Sequence, residues 1–156
     1  MNVNRRHFLE MMAGAGTLMA AGITPVVAAT LGNTGITRNV VVVGGGMAGV
    51  TVAKYLRLWG GAGLKVTLIE RDSRYTSNIM SNLVVTGQYA PTILDYGWSN
   101  LVKNHGVKLL NGTVTQVEPG GSLGAWKVTI AKGSTITVLY CERVVLAPGV
   151  KFDAVP

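Results

Sequence analysis

The residues with the most specific chemistry in this sequence are Gly44-Gly45-Gly46-Met47-Ala48-Gly49 and an acid, Glu70, about 20 positions beyond the last of them. The first six fit G-x-G-x-x-G. An apolar run precedes them, a helical pattern follows, and Glu70 closes the next apolar run. That context is the one in which such a turn holds a dinucleotide. Gly44 allows the sharp bend, Gly46 removes a side chain so that a pyrophosphate can reach backbone N–H groups, and Gly49 lets the helix lie close to the strand. Met47 and Ala48 open the helix, whose free N–H donors and partial positive charge suit a diphosphate. The Glu70 carboxylate can accept hydrogen bonds from ribose hydroxyls. It would repel a 2′-phosphate, which favours FAD or NAD over NADP.

These residues need a frame. Asn39-Val40-Val41-Val42-Val43 reads as a strand buried on both faces, and Leu64 to Ile69 as a second. Between them Met47 to Trp59 reads as a helix whose stripe is Val52, Leu56 and Trp59, with Lys54 and Arg57 off it. Gly60, Gly61 and Gly63 stop that helix, giving one βαβ unit. The stretch from Arg71 to Ala90 is polar and irregular, with room for a short helix. Pro91-Thr92 marks a helix start, running to about Asn104. Val107 to Leu110 is a third strand, and Thr113 to Val117 continues extended. Trp126, Val128 and Ile130, then Ile136, Val138 and Tyr140, alternate with polar residues around Lys132-Gly133-Ser134, a hairpin with one face buried. Val144-Val145-Leu146-Ala147 is a further buried strand ending at Pro148-Gly149. The expected class is therefore α/β: a Rossmann-type parallel sheet with a β-meander insertion.

Composition narrows the function classes. The chain has 156 residues, 48% of them hydrophobic and 13% charged, which suits a folded domain rather than a disordered one. The net charge is +7, but Lys54, Arg57, Lys65, Lys103, Lys108 and Lys127 are dispersed. A dispersed excess is a solvated surface, suited to an acidic partner or an anionic ligand rather than to nucleic acid. The single cysteine, Cys141, forms no intrachain disulfide and reads as a small buried hydrophobe. No Ser/His/Asp triad, paired acids or metal-spaced His/Cys cluster stands out. His105 reads as a surface residue near a helix end.

The first residues carry an address. Asn4-Arg5-Arg6-His7-Phe8-Leu9 precedes an uncharged stretch from Met11 that ends in Val27-Ala28-Ala29. A basic start, an apolar centre and a small-residue exit make an export signal, and the paired arginines match the twin-arginine route. Residues 1–29 are expected to be that signal, residues 30–37 a polar lead-in, and residues 38–156 the N-terminal part of an FAD/NAD(P)-binding domain. The alternative is a retained anchor, weakened by the Gly and Ala content and by Pro25. Cleavage would leave a periplasmic chain with no stable membrane insertion.

The order of these segments resembles the two-dinucleotide-binding flavoproteins, the pyridine nucleotide–disulfide oxidoreductase group. That resemblance implies FAD at the first glycine motif, Thr113-Val114 beside the adenine, and Ala147-Pro148-Gly149 as the turn next to the flavin. Arg71-Asp72-Ser73-Arg74-Tyr75-Thr76-Ser77 followed by Ser81-Asn82 is similar to the flavoprotein subunits of flavocytochrome c sulfide dehydrogenases and, more broadly, to sulfide:quinone oxidoreductases. The likeness covers about residues 39–156. It implies a sulfur substrate, a c-type cytochrome as partner, and cofactor contacts from Arg71, Ser77 and Asn82. One departure matters: Ser77 stands where those subunits carry a cysteine that links to the flavin, so non-covalent FAD is expected. Members of that group are much longer, and sulfide-oxidising ones use a cysteine pair, so the chain reads as an incomplete FAD-binding domain. Two other readings stay open: an NAD(P)H-dependent flavin reductase, and a non-catalytic module that binds a nucleotide or a partner.

Overall fold

A computed structural model describes residues 37–150. The expected export signal (residues 1–29), most of the expected lead-in and residues 151–156 lie outside the described residues.

The valine run forms strand β1 (Arg38–Val43), followed by helix α1 (Met47–Gly60) and strand β2 (Leu64–Glu70). Further on come β5 (Lys108–Asn111) and β9 (Arg143–Leu146), and these four strands make one parallel sheet in the order β5-β2-β1-β9. Strand β1 is central, so its valines are covered on both faces. Val40 and Val42 point to the helical side, and Val41 points to the other. The helical side is completed by Ala53 of α1 and Leu101 of helix α3 (Ser99–His105). The opposite side is closed by an antiparallel meander: β6 (Thr113–Pro119), β7 (Trp126–Lys132) and β8 (Thr135–Cys141), whose Val128, Ile130 and Cys141 pack on Val41 and Ile69. The result is three layers, helices, parallel sheet and meander, as the sequence pattern led one to expect for the α/β class.

Four local expectations need correction. Trp59 does not join the buried stripe of α1 and is 69% exposed, stacked against Tyr55. The helix seats instead on Gly49 and Ala53, because residues this small let its backbone approach the sheet. Arg57, expected on the solvated side, is half-buried and donates to the carbonyls of His105, Gly61 and Leu64, tying the ends of α1 and α3 together.

The helix expected from Pro91 to about Asn104 is broken. A 3-10 turn (Pro91–Leu94) gives way to a short strand β4 (Asp95–Tyr96), which pairs antiparallel with β3 (Tyr75–Thr76). The Thr76 hydroxyl donates to Asp95 Oδ1 at 2.6 Å, a side-chain bond across this strand pair. Gly97 then separates β4 from α3. The polar stretch from Arg71 to Ala90 does contain a short helix, α2 (Ser81–Val85).

The hairpin turns at Gly133-Ser134, and Lys132 pairs with Thr135. That register sets Val128 opposite Leu139 and Trp126 opposite Cys141. The inward residues of β8 are therefore Leu139 and Cys141. Ile136, Val138 and Tyr140 face outward, and Ile136 is 61% exposed. Among the described residues no helix is long and apolar enough to cross a membrane.

Candidate functional site: a glycine turn at the head of a helix

The turn from β1 into α1 is held from three directions. Gly44 adopts φ +101°, a conformation that L side chains rarely enter, and a Cβ there would collide with the carbonyl oxygen of Ala147. Ala147 N donates to Val43 O at 2.8 Å, so the Ala147-Pro148 backbone is fixed against the bend. Gly45 is enclosed by Trp98 and Glu70: a Cβ would meet Trp98 Nε1 at 2.9 Å and Glu70 Cγ at 3.0 Å. Gly49 lies directly on the bend, where a Cβ would strike the Gly44 carbonyl oxygen.

Gly46 differs from these three. Its backbone, φ −71° and ψ −173°, is open to any L residue, and a Cβ would find only the Tyr75 ring, at 3.6 Å. Nothing in the protein forbids a side chain there. Gly46 is also the N-cap of α1, and no side chain caps the helix. No acid lies in its first turn. The first N–H groups, including those of exposed Met47 and Ala48, therefore look outward with the helix dipole behind them.

Glu70 points at this turn. Its Oε2 accepts from Gly45 N, while Oε1 accepts from Arg71 N at 2.8 Å and Asp72 N at 3.0 Å. A carboxylate offers about four lone-pair positions. Three are used by the backbone, which leaves capacity for one further donor such as a hydroxyl. Asn111 holds the same strand end from the other side, its Nδ2 donating to Arg71 O at 2.8 Å and Glu70 O at 3.1 Å.

The other sequence-derived candidates divide. Ala147 and Pro148 abut Gly44, and Gly149 follows at φ +74°. Ser77 is buried and lines a cavity of about 450 Å3 beside the turn, together with Gly46 and Met47. Its Oγ accepts from Ile79 N at 3.1 Å. Arg71 contributes its backbone N–H, whereas its exposed guanidinium pairs with Asp72 Oδ2 at 3.1 Å. Val114 is half-buried opposite Ile130, two residues after Gly112, whose N–H donates to Glu70 O at 2.9 Å. Asn82 is exposed on α2, outside the residues that line the cavity.

Two residues of the site gave no sequence signal. Trp98 is buried and its Nε1 donates to Gly45 O at 2.8 Å. Asn111, at the end of β5, belongs to no sequence motif. Both act across long sequence separations, which no local pattern encodes.

A parallel sheet carrying a glycine turn, an uncapped helix head and a strand-end acid, backed by a meander, defines a Rossmann-type nucleotide-binding architecture. Residues 38–155 match the profile of the pyridine nucleotide-disulphide oxidoreductase family, and the chain belongs to that family. Among solved structures, reduced CoADR-RHD of Bacillus anthracis is similar at 21% identity and a TM-score of 0.64, over 78% of this chain and 22% of that one. The sulfide:quinone oxidoreductase of Aquifex aeolicus follows at 23% and 0.61, over 73% of this chain and 25% of that one. The water-forming NADH oxidase of Lactobacillus brevis matches at 25% and 0.60, over 76% of this chain and 26% of that one. The chain thus spans about a quarter of the length of these relatives.

Proposed function

We propose that this chain is the FAD-holding front portion of an exported oxidoreductase that oxidises sulfide or another reduced sulfur compound and passes the electrons to a c-type cytochrome. The observation that carries the cofactor reading is the contrast among the glycines. Gly44, Gly45 and Gly49 are each crowded by protein, whereas Gly46 is open and sits at an uncapped helix head. A bare position that the protein does not itself require is explained by a ligand that does. The residues present fit FAD: Gly46, Met47 and Ala48 for the pyrophosphate, Glu70 for the ribose, Val114 on the adenine side, and Ala147-Pro148-Gly149 with Ser77 toward the flavin.

Bound flavin supplies the electron chemistry; the protein supplies position and electrostatics. The N–H donors of α1 neutralise the diphosphate. Glu70 orients the sugar and keeps a 2′-phosphate away. The Ala147-Pro148 turn, fixed against Gly44, limits how far the cofactor can slide across the sheet. Ser77 brings a hydroxyl where a thioether link would need sulfur, so the flavin is held without a covalent bond. The sulfur and cytochrome assignments rest on the resemblance of the segment from Arg71 to Asn82, and the periplasmic one on the twin-arginine signal.

The test begins with the purified chain titrated with FAD and followed by flavin absorbance and fluorescence. Saturable binding, with all flavin released on acid precipitation, is expected. A folded chain that fails to bind FAD would overturn the cofactor reading. Flavin that stays on the denatured chain would overturn the non-covalent one. Sulfide-dependent reduction of a c-type cytochrome by the parent oxidoreductase, and its recovery from the periplasmic fraction, test the remainder.

A further inference from the structure

We infer that strand β8 is a pairing edge for a second copy of this chain, which adds its own β8 antiparallel and joins the two meanders into one six-stranded sheet. The parallel sheet and the meander end in four edge strands, β5, β9, β6 and β8. Three of them carry features that discourage pairing. Strands β5 and β9 are four residues long and hold Lys108 and Arg143. Strand β6 holds Glu118 and Pro119, and its register shifts between Val114 and Gln116. Strand β8 has none of these. Thr135-Ile136-Thr137-Val138-Leu139-Tyr140-Cys141 contains no charge, proline or glycine, and its pairing with β7 runs without a shift.

The turn at Gly133-Ser134 fixes which backbone groups this edge offers. A two-residue turn closes on a hydrogen-bonded pair, here Lys132 with Thr135, and such pairs recur at every second residue. The N–H and C=O groups of Ile136, Val138 and Tyr140 therefore point away from β7, to an edge that no further strand joins among the described residues. The side chains of the same three residues form an exposed apolar row on the outer face. Val138 is the midpoint of β8. A two-fold axis through it sets Val138 opposite its counterpart and Ile136 opposite the second copy's Tyr140, so donors meet acceptors and apolar side chains meet apolar side chains. The same register brings the hairpin tip of each copy, with Lys132, to the Glu142 end of the other. Lys132 has no acidic partner within ion-pair distance among the described residues. The net charge of +7 opposes self-association in general, but at β8 neither strand carries a charge. A contact of this symmetry closes at two chains. It uses no residue of the glycine turn, so it stands apart from the FAD reading.

Sedimentation of the full chain should show the mass of one chain rising to that of two with concentration. Val138→Lys sets two ammonium groups face to face and should weaken the association more than about tenfold, with FAD titration unchanged. Engineered thiols read the register independently of that variant. Val138→Cys opposes two cysteines at a Cα separation of about 5.5 Å, which a disulfide spans, so mild oxidation should link the chains into a covalent dimer. Ile136→Cys is at a more exposed position, but lies roughly 13 Å along the strands from its own counterpart and should link more than about tenfold more slowly. The unaltered chain, whose Cys141 is buried, is the blank. A chain that stays monomeric up to about 1 mM, equal linking of the two cysteine variants, or self-association indifferent to Val138→Lys would each overturn the inference. The Val138→Cys link is expected in the parent oxidoreductase as well. Its absence there would mean that a later segment of the same protein occupies the edge, and would also overturn the inference. None of these outcomes bears on whether the chain takes up FAD.

Discussion

Replacing Gly46 with alanine separates what the ligand requires from what the fold requires. The backbone at Gly46 already has a conformation that alanine adopts, and the new methyl would rest 3.6 Å from the Tyr75 ring, an ordinary contact. The cost to folding is then limited to a poorer N-cap, below about 1 kcal/mol. The cost to cofactor binding is larger, because the methyl stands where the diphosphate must approach the N–H groups of α1. Overpacking at a close contact costs about 1–3 kcal/mol. At about 1.4 kcal/mol per tenfold change, FAD affinity should fall roughly 5- to 150-fold. Gly44→Ala is the control with the opposite signature. It forces alanine to φ +101° and into the Ala147 carbonyl. The strained backbone alone costs about 1–3 kcal/mol, and displacing the β9 end adds to it. Urea melts and FAD titrations of both variants give the readout. Gly46→Ala should melt near the parent and bind poorly, and Gly44→Ala should melt early. A Gly46→Ala chain that binds FAD with parental affinity would refute the reasoning, as would one that unfolds as readily as Gly44→Ala.

Four further outcomes follow from single contacts. Trp98→Phe leaves the buried Gly45 carbonyl without its donor and should cost about 1–3 kcal/mol in urea denaturation. Glu70→Gln cannot accept through its amide nitrogen, so at least one of the three backbone N–H groups loses its partner. A loss of about 1–2 kcal/mol and weaker FAD binding are expected, read by the same melts and titrations. Burial raises the Cys141 thiol above its ordinary value of 9.0, so the folded chain should resist a thiol-specific disulfide reagent at neutral pH and react fully in denaturant. The hydrogen bond and charge of Glu118 raise Lys127 above 10.5. The stability this pair contributes is present below the unfolded lysine value and lost as pH rises through the raised one. Lys127→Met should therefore flatten the alkaline limb of a stability–pH profile.

Much of this was legible in the sequence because it depends on short-range pattern. The run Val40 to Val43 announces a strand buried on both faces, and the glycine spacing followed by Glu70 announces the turn and its acid. What could not be read depends on how distant segments meet. Trp59 fits a helical stripe by period, yet the face that contacts the sheet is chosen by Gly49 and Ala53, whose smallness matters more than hydrophobicity once the helix lies this close. The alternation in β8 is genuine, but its phase follows from the turn at Gly133-Ser134, and a shift of one residue exchanges the two faces. The broken helix after Pro91 reflects β3, whose pairing with Asp95–Tyr96 is a long-range choice.

The same distinction bears on how a glycine-rich pattern should be interpreted. Its glycines look equivalent as letters, but each is selected by a different neighbour: Ala147 for Gly44, Trp98 and Glu70 for Gly45, and the bend itself for Gly49. Three of these constraints would persist in a protein that had lost its cofactor, because they keep the sheet and helix together. Only at Gly46 would an alanine cost the fold no more than a poorer N-cap. The glycine at this position is accordingly the one that points most directly to a ligand, and the Trp98 bond to the Gly45 carbonyl holds the turn in shape from within the protein.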